Sequence, residues 1–273
     1  MLQPMKMTVP RRRARGLGAL ALALCLVLPL VLAQAAYAHQ VWLEEHAGGT
    51  KLYFGEFGDN LHEVSPGYLD KLVRPTATLI SGQKDKPLEA ARSRDGVAFA
   101  GKPAKGEAVI ALDAAYPLLE NKDGGKTTRT AWTPAARYLP ELAPAVAKLT
   151  LDVVPTSVPT NGAGEFQVTF RGAPLPKVEV TLTAVSGWSL SGTTNDQGKV
   201  SFKLPWKGTY ALLVRHKDAK PGKRKGADGK DESFDAESFG TTLTFATTSG
   251  LPSPPAPPAA PPNVPEPKPA APK

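Results

Sequence analysis

Cysteine is almost absent from this sequence: the one example, Cys25, falls inside an apolar run near the amino terminus. If that run is removed on export, the remaining chain has no thiol, which excludes both a disulfide framework and a cysteine-ligated zinc site. Its core must hold without staples. A Gly-rich phosphate loop, a nucleophile elbow and a paired His-Glu zinc helix are missing as well, so the sequence indicates no nucleotide enzyme and no hydrolase. Clustered basic charge is also lacking. The net charge of +8 includes Lys6, Arg11, Arg12, Arg13 and Arg15 of the leader, which no acid opposes, so +3 remains for the rest. Even the most basic stretch, residues 217–237, sets six Lys and Arg against six Asp and Glu. Nucleic acid is therefore not an expected partner.

What is present begins with an export grammar. Residues 1–38 combine the basic stretch, an apolar run over 16–33 and a small-x-small site at Ala36-Tyr37-Ala38, the three parts of a signal peptide. Cleavage after Ala38 makes His39 the first residue. Ala33-Gln34-Ala35 is a competing site, and retention of the run as an anchor would be the only membrane attachment. The expected location is the periplasm. At the other end, residues 251–273 hold eleven prolines among Ala, Ser and Lys, a composition expected to give a disordered, polyproline-type tail.

Between the ends, short β-type runs separated by turn residues predict an all-β fold. Residues 41–43, 51–54, 77–80, 108–112 and 148–154 read as strands, and only 65–71 and 134–148 hint at helix. From Glu165 the pattern sharpens: 165–170, 177–182 and 199–204 alternate with period two, and 209–214 and 241–245 follow. Alternation means one buried face per strand. The spacing predicts an immunoglobulin-like sandwich over 160–248 and a first β domain over 39–154, two sandwiches in all. The polar connection 217–238 is too long for a simple hairpin, and such connections are usually functional or disordered.

The four histidines, His39, His46, His62 and His216, carry the most chemistry. Three of them are interleaved with Glu44, Glu45, Glu56, Asp59 and Glu63, and imidazole with carboxylate suits zinc, nickel, cobalt or copper. A chain beginning at His39 offers an α-amine and a ring nitrogen at one residue. The expected metal ligands are His39, helped by some of Glu44, His46, His62 and His216. The bland alternative is that His46, His62 and His216 are solvated histidines on strand edges. In an extended segment His39, Val41, Leu43 and Glu45 face one way and Trp42, Glu44 and His46 the other. His39 and His46 therefore cannot chelate one ion together, and His216 is a candidate partner from another strand. The four tryptophans read as packing anchors more readily than as sugar platforms.

Residues 39–44, the segment Gly55-Glu56-Phe57-Gly58-Asp59-Asn60, Arg215-His216-Lys217-Asp218 and the threonine-rich run 241–245 resemble the exported family catalogued as domain of unknown function 4198. Its members begin with a His soon after the signal and an aromatic-aliphatic pair, matched by His39 and Trp42-Leu43. Many also carry a membrane segment near the C-terminus, whereas no apolar run follows the Pro-rich tail here. The resemblance implies a periplasmic, non-enzymatic protein associated with nickel or cobalt uptake, working near an envelope transporter or receptor. A non-catalytic structural or interaction module of the cell envelope is the alternative, and an oxidative copper enzyme a third.

Overall fold

The computed structural model describes residues 39–82 and 84–264. The expected export signal, Cys25 included, lies outside the described residues, as does the tail from 265 onward. The chain is all-β. Its strands are β1 (Gln40–His46), β2 (Gly49–Glu56), β3 (Leu61–His62), β4 (Thr76–Ile80), β5 (Lys86–Leu88), β6 (Ala90–Ser93) and β7 (Gly96–Ala100). Then follow β8 (Ala108–Leu112), β9 (Leu119–Asp123), β10 (Lys126–Leu139), β11 (Leu151–Pro155), β12 (Ala163–Phe170), β13 (Ala173–Pro174) and β14 (Glu179–Ala184). The last are β15 (Ser189–Thr193), β16 (Lys199–Lys203), β17 (Gly208–Asp218), β18 (Gly222–Lys225), β19 (Asp231–Phe234) and β20 (Ala236–Thr247).

A nine-stranded sheet in the order β15-β14-β17-β20-β10-β8-β4-β5, with β9 beside β10, runs through the molecule. Both expected domains, 39–154 and 160–248, contribute strands to it, and the described residues belong to one compact unit. The joint is the parallel pairing of β10 with β20, from Thr130 opposite Ala236 to Leu139 opposite Phe245. A five-stranded sheet, β1-β2-β7-β6 with β3 beside β2, packs on one face of the large sheet, and β11-β12-β13 with β16 packs on the other.

Side-chain parity explains the two faces. Val109 and Ala111 of β8 join Val41, Leu43, Leu52, Phe54, Val97 and Phe99 in one core, while Ala108 joins Phe166, Val168, Leu182, Phe202, Leu212 and Phe245 in the other. Fully burying side chains of this size stabilises by about 1.5–3 kcal/mol each. Strands β12, β14 and β16 cover one face only and alternate in burial; β10 and β20 lie between two covering sheets and are buried in unbroken runs. In β20 the threonines tie the layers together. Thr241 Oγ1 donates to Leu151 O at 2.8 Å on one side, and Thr242 Oγ1 donates to Val41 O at 2.7 Å on the other.

Three expectations are corrected by this arrangement. The helix hinted at over 134–148 is strand β10 as far as Leu139 and irregular beyond, because Ala135 to Leu139 are buried between layers that only an extended chain can fit. Over 65–71 only a 3-10 turn forms, Tyr68–Lys71. The tail, expected to be disordered from 251, is laid against the body as far as Asn263 by hydrogen bonds from both partners. The long 217–238 connection is likewise ordered. It folds into the hairpin β18-β19, and Arg224 of β18 donates to Glu232 within the hairpin and to the carbonyls of Ala114 and Tyr116 on the body.

Candidate functional site

His39 precedes β1, the edge strand of the five-stranded sheet. Its ring lies against Phe54 of β2, with centroids 5.1 Å apart, and against Tyr68 at 5.9 Å. The carboxylates beside it come from a tight reversal. β2 ends at Glu56, the turn Phe57–Asp59 follows, and Asn60 takes a left-handed conformation (φ 51°) that lets β3 fold back on β2. Gly55 permits the close approach: at φ 147°, a Cβ there would stand 2.1 Å from Leu61 O. The result is that Glu63, immediately after β3, is drawn in by a backbone hydrogen bond to Phe54 O and becomes fully buried under His39.

The two ring nitrogens of His39 face different carboxylates. Nε2 is 2.5 Å from Glu63 Oε1, and Nδ1 is 3.7 Å from Glu56 Oε1. Glu63 also accepts from the Asn263 backbone N–H at 3.2 Å and from Asn263 Nδ2 at 2.6 Å. Burial pushes the Glu56 carboxyl above its ordinary range, as does its hydrogen bond with Asp59, while His39 pulls it back. Two cations border the group. Arg215, lowered by burial and supported by Glu56, reaches His39 O at 3.4 Å. Lys71, lowered by burial and supported by Glu63, stands over the Tyr68 ring at 4.1 Å.

The other expected ligands lie elsewhere. Glu44 accepts from Trp42 Nε1 at 2.9 Å, on the sheet face opposite His39, as parity requires. His46 is exposed at the β1-β2 turn. His62 packs its ring on Trp42 and Tyr53, at 5.1 and 4.8 Å, again on that opposite face. His216 packs on Phe170 at 4.5 Å, and it is its neighbour Arg215 that approaches His39. Successive residues of β17 point to opposite faces, so bringing Arg215 to His39 turns His216 away. The five residues therefore do not converge, and among the described residues no three His, Cys, Asp or Glu side chains form a ready metal cluster. Trp42 is a fully buried core residue and Trp132 packs edge-on to Tyr116.

In the sequence the carboxylates Glu56 and Glu63 stand out only as neighbours of the histidines, not as members of the site. The signal available was their interleaving with His62; what hid their role was the reversal at Asn60. Asn263 sits in a low-complexity segment and gave no signal.

A family model described as domain of unknown function (DUF4198) matches residues 36–218. The chain belongs to the DUF4198 family. That match takes in β1 to β17, and with them His39, Glu56, Glu63 and Arg215, whereas β18 to β20 and the docked tail follow it. No curated protein matches the chain. Among the described residues, no helix is long and apolar enough to cross a membrane.

Proposed function

We propose that this DUF4198 chain is an exported, non-enzymatic accessory protein of the periplasm that binds a divalent transition metal at His39 and serves metal uptake beside an envelope transporter or receptor. Nickel or cobalt is the favoured cargo, with copper and zinc as rivals. The observation that carries the reading is the division of labour around one imidazole. A carboxylate that accepts from one ring nitrogen orients the ring and raises the basicity of the other nitrogen. Buried Glu63 stands in that position at Nε2, leaving Nδ1 turned toward Glu56. Cleavage before His39 adds the α-amine, which with Nδ1 closes a small chelate ring on the same residue. The donor set is then amine, imidazole and the Glu56 carboxylate, which fits a borderline cation. The amine is a main-chain donor, so the site needs no third His, Asp or Glu side chain.

Titration calorimetry of the chain beginning at His39, with nickel, cobalt, copper and zinc in turn, tests this. One site is expected, with affinity reduced at least tenfold by His39→Ala and again by one extra residue placed before His39. Equal affinity in all three chains would reject the site. The rival reading, a structural module of the envelope, draws on the Pro-rich segment bound along the surface; it predicts unchanged behaviour after all four histidines are replaced.

A further inference from the structure

The docked tail is organised as a ligand is. Pro257, Ala260 and Asn263 touch the body, and the residues between them are exposed. Contact at every third residue is the period of a polyproline II helix, which makes no internal hydrogen bonds and leaves its backbone groups for a partner. The body supplies partners for them in order. Asn60 Nδ2 donates to Pro257 O at 2.9 Å, Asn60 O accepts from Ala260 N–H at 3.1 Å, and Glu63 accepts from the Asn263 backbone and side chain at 3.2 and 2.6 Å. Between 254 and 263 only Ala256, Ala259, Ala260 and Asn263 own a backbone N–H at all, and two of those four are taken by the body. Further back, Leu251 donates to Pro205 O and accepts from Lys207 N–H, both at 2.8 Å.

Asn60 is the centre of this recognition. Its left-handed backbone, which asparagine tolerates better than most residues, aims its own carbonyl and its carboxamide at the same strap. The strap contributes no residue to any of the four hydrophobic clusters, whose last member is Phe245. It is bound to a finished fold and is not part of its core.

We propose that the track from Pro205 through Asn60 to Glu63 is a binding groove for polyproline II peptides that carry an asparagine at the end of the third-residue series, and that residues 251–264 are its built-in occupant. Proline stiffening keeps the ordering cost of such a strand low, and tethering gives the built-in segment an effective concentration that excludes a peptide in trans. Removing the segment should therefore expose the groove to the same sequence supplied separately.

The probe is a fluorescent synthetic peptide of residues 251–264, used with chelator present so that the outcome does not depend on the metal reading. A chain ending at Gly250 retains every core side chain, and its thermal melt checks the fold. Anisotropy should show that it binds the peptide at least tenfold more tightly than the intact chain does, and that Asn263→Ala in the peptide removes at least tenfold of that affinity. Equal binding to both chains, with a normal melt, overturns the proposal. In the intact chain the Ala260 amide should exchange with solvent more slowly than an unstructured amide, and Asn60→Ala, which removes the carboxamide bond to Pro257 O and disfavours the left-handed backbone, should reduce the slowing. Exchange at the unstructured rate in the unmodified chain overturns the proposal independently of whether the shortened chain folds.

Discussion

Asp152 and Glu63 are both fully buried carboxylates, and the company each keeps differs in kind. Asp152 accepts five hydrogen bonds: Nε and Nη2 of Arg137 at 3.1 and 2.6 Å, and the backbone N–H groups of Lys148, Leu149 and Val153 at 2.7 to 3.0 Å. Its cation is a guanidinium that binds it through two nitrogens, and its other donors are backbone groups fixed by the chain within four residues of it. Glu63 depends instead on an imidazole at the start of the described chain and an asparagine at its end, 24 and 200 residues away. The asparagine is exchangeable, by release of the strap, and the imidazole keeps its second ring nitrogen for a further ligand. A buried charge closed off by permanent donors fastens a structure, as Asp152 holds the loop after β10 to β11. One left with replaceable donors has the makings of a binding site.

Substitution should separate the two sharply. Asp152→Ala strands the Arg137 guanidinium, whose side chain is 1% exposed, and is expected to destabilise the protein by about 3–5 kcal/mol in urea unfolding. Replacing Arg137 and Asp152 together by apolar residues of similar volume should recover much of that loss. Glu63→Gln keeps the shape and one acceptor oxygen, and is expected to cost only about 1–3 kcal/mol. A larger loss at Glu63 than at Asp152 would contradict the contrast, because it would make Glu63 the structural member of the two.

The same contrast governs what could be read from the sequence. Strands β12, β14 and β16 were plain, since period-two alternation follows directly from covering one face. β10 was misread because its inner residues, Ala135 and Ala136 among them, are small and buried on both sides, and Pro134 looks like a break where it sits opposite Gly240 in the parallel pair. Nothing local announces a parallel pairing between residues more than a hundred positions apart. His39 was legible because the export grammar points at it. Its carboxylate partners depend on the left-handed turn at Asn60, and its strap partner on a contact across 224 residues, and neither leaves a periodic trace. Arg215 is hidden by parity: the histidine signal falls on its neighbour His216, whose side chain leaves the opposite face of β17.

The weakest expected effect lies on the alkaline side and separates tyrosines that stand beside a carboxylate from one that does not. Tyr53, stacked on Trp42 on the sheet face opposite His39, and Tyr138, in the core beneath His39, are pushed up to about 12, first by burial and then by the charge of Glu44 and Glu45 respectively. Tyr210, in the other core, is raised by burial alone, while its hydroxyl is held between the N–H and carbonyl of Trp206 at 2.7 and 2.9 Å, which works against the rise. A folded pKa above the unfolded value favours the neutral phenol in the fold. That stability is fully present below the unfolded value near 10 and is lost as pH rises toward 12. Urea midpoints measured at pH 9, 10.5 and 11.5 should therefore fall, with tyrosinate absorbance lagging that of the unfolded chain. Tyr53→Phe and Tyr138→Phe should each flatten the fall, and Tyr210→Phe should flatten it less while costing more at neutral pH, where it loses both bonds to Trp206. Equal flattening by all three would mean that Glu44 and Glu45 do not reach Tyr53 and Tyr138, and that burial alone sets the alkaline limit.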